Sequence, residues 1–178
     1  MKRFLQFTCV AATVTASVFT LSSFNSVKKE KANPLPMAYS VALQSKNQIG
    51  TNEQWTWTLT NPNPGNGNNG TLQNVSHWDI ALSPAAEAAL VSAEYSRDGV
   101  NWFSLSIEVE RDPSIRLCTQ ADVLKFNVGT DGSAPLYYRA TFDEQFTQNA
   151  YATSYIKTGG GLQGCNLYYF NGMGTRLD

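Results

Sequence analysis

His77, the single histidine of the chain, stands two residues from Asp79. If this segment is a strand, the two side chains share a face and lie close enough to hydrogen-bond. A nucleophilic triad would need a positioned serine as well, and no G-x-S-x-G elbow frames one. Glu108 and Glu110 lie about 7 Å apart along an extended strand, nominally the separation of an inverting glycosidase pair. Adjacent acids on an exposed strand are common, and catalytic carboxylates need differentiated environments that the neighbouring residues do not indicate. Asp98-Gly99, Asp131-Gly132-Ser133 and Asp143-Glu144 offer oxygens of the kind calcium takes, without EF-hand spacing. The same aspartates suit turns, where they bond their own backbone. Zinc finds too few ligands in one histidine and a cysteine pair already claimed by a disulfide. The residues therefore predict no catalytic set, no metal and no cofactor.

The aromatic residues are the other chemically notable group, with 4 Trp, 8 Tyr and 9 Phe. Trp55, Trp57 and Trp78 are expected to fill a core. Trp102 is expected on the outer face of its strand, together with Tyr137, Tyr151, Tyr155 and Tyr168 or Tyr169. A flat apolar patch rimmed by polar groups suits a sugar ring or another protein.

Strands must position these groups. Residues 54–60 alternate strictly, with Trp55, Trp57 and Leu59 on one side and Thr56, Thr58 and Thr60 on the other. The segment 75–82 does the same, with Trp78, Ile80 and Leu82 opposite His77 and Asp79. A first strand is expected at 37–44. Residues 61–70 form a Pro, Gly and Asn-rich loop, a tip that is either functional or a tolerated surface insertion. Ser83 can cap a short helix over 83–90, with Pro84 at its first position. Asp98-Gly99 supplies left-handed turn geometry for a hairpin of 91–96 and 102–110. In its second arm Phe103, Leu105, Ile107 and Val109 are expected to face inward. Strands at 123–128, 136–142, 150–157 and 166–170 complete the set. About nine short strands and one short helix predict an all-β fold, an immunoglobulin-like β-sandwich, with a jelly roll as the alternative.

The 178 residues suffice for one such domain and a leader. Met1-Lys2-Arg3 is followed by an uncharged stretch up to Val27, which reads as a signal peptide or N-terminal anchor over 1–26. A spacer follows at 27–36, and the domain occupies 37–178. Cys9 belongs to the apolar segment, leaving Cys118 and Cys165, which an exported chain would join. Closing a loop of about 48 residues contributes on the order of 4 kcal/mol in the chain-entropy picture. Residues 33–178 hold 8 Lys and Arg against 13 Asp and Glu, a net acidity that counts against a phosphate-binding surface, so no nucleic-acid partner is expected. Contact with a membrane is expected only through an uncleaved N-terminal segment.

Tyr95-Ser96-Arg97-Asp98-Gly99-Val100-Asn101-Trp102 resembles the S-x-D-G-x-x-W hairpin of extracellular β modules, including discoidin-type and fibronectin-like domains. With Trp55-Thr56-Trp57, Ser76-His77-Trp78, Lys125-Phe126-Asn127-Val128-Gly129 and Tyr137-Tyr138, the stretch 54–165 is similar to modules of secreted and cell-surface bacterial proteins that have no assigned activity. The resemblance implies export and a sandwich, not a ligand. The function expected is an exported, non-catalytic binding or adhesion module for a glycan or a surface protein, with His77, Asp98 and Trp102 marking the surface. A structural matrix component and a hydrolase using Glu108, Glu110 or His77 are the competing readings.

Overall fold

A computed structural model describes residues 39–159 and 164–177. The leader and spacer expected at 1–36 lie outside the described residues. Alternation of large apolar and small polar side chains produces strands that pair into two antiparallel sheets. The first has the order β1 (Ser40–Ile49), β2 (Asn52–Thr60), β8 (Leu136–Phe142), β4 (Leu90–Ser96) and β5 (Phe103–Leu105). The second runs β10 (Cys165–Arg176), β9 (Phe146–Thr158), β3 (Val75–Ala81), β7 (Val123–Phe126) and β6 (Val109–Glu110). The fold is an all-β sandwich. Its one short helix, α1 (Pro84–Ala88), starts where the sequence predicts, with the Ser83 hydroxyl accepting from the Ala86 amide.

The sheets close on an aromatic core. Trp55, Trp57 and Leu59 of β2 meet Trp78 and Ile80 of β3, and all five are fully buried. Trp78 is the hub: Trp57, Phe126, Tyr138 and Phe170 rings lie 5.3–5.8 Å from it, in stacked, tilted and edge-on arrangements. Tyr138 has its hydroxyl bonded to the Val128 carbonyl. Gly129 lies against β3 so closely that a Cβ there would sit 1.8 Å from the Val75 carbonyl oxygen. Only glycine permits that approach, and beside it Thr130 Oγ1 takes the Val75 amide hydrogen.

Several expectations are corrected. Among the described residues ten strands form instead of about nine, because the expected strand 102–110 is two. Residues 103–105 pair with β4 in the first sheet, and residues 109–110 pair with β7 in the second. The chain changes sheets between them, so Phe103 and Ile107 are 52% and 46% exposed rather than inward. Glu110 is exposed and Glu108 half-buried. Alternation records a side chain's face but not a strand's neighbour, so a crossing at mid-run leaves it unbroken. Tyr155, expected outward, is buried. The first strand begins at Ser40 and runs to Ile49, and β9 begins at Phe146, four residues before the expected start.

On the outer face of the second sheet lies a further layer. A 3-10 turn, Pro113–Ile115, lays Ile115 against Val123 of β7 and Tyr155 of β9, with Ala81, Cys118 and Cys165 around them. The disulfide Cys118–Cys165, Cα atoms 6.2 Å apart, fastens this segment to the start of β10.

Candidate functional site

Two places gather polar side chains. The first is beneath the 3-10 turn. Cross-strand register puts Lys125, Asp79 and Tyr155 in one row and His77 and Lys157 in the next, all on the face opposite Trp78. Asp112 caps the turn, its Oδ1 accepting from the Ser114 amide at 2.7 Å. Its Oδ2 lies 2.9 Å from His77 Nε2 and 3.1 Å from Lys125 Nζ. The same histidine nitrogen lies 3.3 Å from Asp79 Oδ2 and 3.2 Å from Ser114 Oγ. The side chains of His77, Asp79 and Asp112 are 6%, 0% and 3% exposed.

The environments of the two carboxylates differ. Burial pushes the Asp79 carboxyl above its ordinary pKa, a rise that the adjacent imidazole opposes. Burial acts on Asp112 in the same sense, but the Ser114 hydroxyl and amide, then Lys125 and His77, outweigh it and hold that carboxyl low. Neither Asp79 oxygen has a hydrogen-bond partner among the described residues; the 3.3 Å approach of His77 does not meet hydrogen-bond geometry. A serine, a histidine and aspartates converge here, yet not as a triad. That arrangement uses both ring nitrogens, one for serine and one for aspartate, whereas here serine and both aspartates face Nε2.

The second place is a surface cleft of about 410 Å³. It is lined by the loop after β2 (Asn66, Gly67, Asn68, Thr71, Leu72, Gln73), by Tyr39 ahead of β1, and by Thr158, Asn166 and Tyr168 of the β9–β10 ribbon. The loop is tightly built: the Gly65 amide donates to the Leu72 carbonyl at 2.8 Å, the Leu72 amide donates to the Asn63 carbonyl at 2.7 Å, and Asn61 Nδ2 donates to the Leu72 and Gln73 carbonyls. Tyr39 donates its hydroxyl hydrogen to the Gln73 carbonyl and meets Tyr168 edge-on at 6.2 Å. Burial, with Tyr168 close by, pushes the Tyr39 phenol up to about 12, and burial raises Tyr168 too, so both rings stay neutral donors. None of the lining residues carries a charge.

The three residues expected to mark one surface do not come together. His77 lies in β3 of the second sheet, covered by the 3-10 turn. Asp98 belongs to the β4–β5 turn of the first sheet, where it accepts from Ser96 Oγ and from the Val100 and Asn101 amides, each at 2.8 Å, and from Asn101 Nδ2. Those amides hold its carboxyl well below the ordinary range. Trp102 precedes β5 and lies half-buried with the Arg139 guanidinium 4.0 Å over its ring, while Arg139 grips Glu94 with two hydrogen bonds. Tyr151 and Tyr169 are 77% and 64% exposed, whereas Tyr168 turns into the cleft. Sequence reasoning missed Asp112, Ser114 and Lys125. The Asp112-Pro113 pair was the available signal, since aspartate before proline is a helix-start signature.

The chain matches no family model, no curated protein and no solved structure. Among the described residues no helix is long and apolar enough to cross a membrane.

Proposed function

We propose that this protein is an exported, non-catalytic module that binds a neutral glycan in the cleft between the loop 61–73 and the β9–β10 ribbon. The observation that carries the reading is the cleft's chemistry: Asn66, Asn68, Gln73 and Asn166 offer amides, Thr71 and Thr158 hydroxyls, and Tyr168 a ring, with no charge among them. Sugar hydroxyls pair with such donors and acceptors, and the apolar face of a pyranose rests on an aromatic ring. The disulfide supports export, because such bonds persist in oxidising compartments. The frame is read as immunoglobulin-like on strand order. Taking β1, β2, β3, β4, β8, β9 and β10 as A to G gives A-B-E-D facing G-F-C, the seven-stranded arrangement of that fold, with a buried tryptophan on the third strand.

The test is a glycan-array screen of the purified protein beside Tyr168→Ala, Asn166→Ala and Trp102→Ala. A glycan retained by Trp102→Ala and lost by the two cleft variants is the expected result. A blank screen on folded protein overturns it. A second reading, docking of a surface protein, is favoured by Leu167 and Tyr169, which are 50% and 64% exposed at alternate positions of β10, and by Tyr151 of β9, which is 77% exposed. Loss of partner capture in Tyr169→Ser with the cleft intact would support it.

A further inference from the structure

The geometry points to a binding site for a divalent first-row transition ion beneath the 3-10 turn, with His77 Nε2 and one oxygen each of Asp79, Asp112 and Ser114 as ligands. The three titratable members offer ligand atoms within 4.8 Å of one another. The distances from His77 Nε2 to the three oxygens, 2.9, 3.2 and 3.3 Å, match the edges of a coordination sphere. Bonds of about 2.0–2.2 Å to nitrogen and oxygen ligands set neighbouring ligand atoms about 3.0–3.4 Å apart.

Asp79 supplies an independent reason. Its side chain is fully buried and both oxygens are without a hydrogen-bond partner among the described residues, which is costly for a carboxylate. Asp112 Oδ2 is likewise buried without a hydrogen-bond partner among the described residues, although His77 Nε2 and Lys125 Nζ lie 2.9 and 3.1 Å from it. A metal ion engages the imidazole and both carboxylates together. The ligand types choose the class: an imidazole with oxygen donors suits zinc, manganese or iron, while calcium prefers a shell of oxygens alone. The sequence counted against zinc because it offers one histidine and no free cysteine pair; the fold answers with carboxylates from β3 and from the cap of the turn. Lys125 is the resident competitor, its ammonium 3.1 Å from Asp112 Oδ2 and its side chain 21% exposed.

The experiment uses the full chain, stripped with a chelator and titrated with zinc chloride. His77 is the only histidine, so its ring resonances report coordination without ambiguity. One equivalent taken up, with the His77 ring signals shifted and the unfolding midpoint raised, is the expected result. Asp79→Asn and His77→Gln should each weaken uptake at least 100-fold, Ser114→Ala several-fold, and Lys125→Met should tighten it by removing the competing charge. Circular dichroism establishes that each variant is folded. Should Asp79→Asn or His77→Gln prove unfolded, the wild-type ring shifts and the Ser114→Ala and Lys125→Met affinities decide alone. No saturable uptake by the wild-type chain, or uptake that leaves the His77 signals unmoved, overturns the proposal.

Discussion

The two faces of the second sheet are built on different principles. Its inner face, with Trp78, Ile80 and Phe126 at 0% exposure, joins an aromatic core held by contact area. Its outer face carries His77, Asp79 and Lys125 under a turn that a disulfide fastens down. One strand, β3, contributes alternate residues to both. Burial alone is therefore a poor guide to what holds a region together: apolar rings are held by the water they exclude, whereas buried charges demand partners at fixed distances.

The contrast can be broken from the inside first. Trp78→Ala removes the hub of four ring contacts and should cost about 3–5 kcal/mol of global stability, read as a lowered urea midpoint. Replacing both cysteines by serine should cost about 2–4 kcal/mol, with a different signature. Amide exchange at Ser114, Cys118 and Thr119, whose amides are bonded within the turn segment, should accelerate more than exchange at Trp55 or Trp57. Equal acceleration everywhere would mean that the outer layer is part of the same cooperative unit. Trp102→Ala serves as a comparator outside both layers; losing the stack on Arg139 should cost about 0.5–1 kcal/mol and leave turn exchange unchanged. The smallest effect is expected at Asp98. Its carboxyl is held below the ordinary range in the folded chain, so its contribution is present above the unfolded pKa of about 4 and is lost as pH falls through the lower folded value. A carboxyl titration by NMR should find Asp98 ionised at a pH where other surface carboxyls are protonated.

The inner face was readable because alternation and aromatic size speak directly: Trp55, Trp57, Leu59, Trp78 and Ile80 fall where period two places them. The outer face was half readable. Period two correctly set His77 and Asp79 opposite Trp78, yet their exposure depended on a turn more than 30 residues away, and no local pattern records that Ser114 returns to His77. The cleft was visible only as an unusual loop, since Tyr39 and Asn166 reach it through pairings remote in sequence. The Cys118 and Cys165 pairing followed from arithmetic, whereas its office, clasping a turn onto a sheet, needed the fold.

The sheet margins carry a last consequence. Two of the four outermost strands, β5 and β6, span three and two residues, too few to template a neighbour. The other two are long, but β1 is interrupted by a bulge between Leu43 and Ser45, and β10 by irregularities at Phe170/Gly172 and Met173/Arg176. Interrupted or abbreviated edges resist the ladder-to-ladder growth that leads to fibrils. Among the described residues no edge therefore offers both a long and an uninterrupted ladder for a second chain to extend.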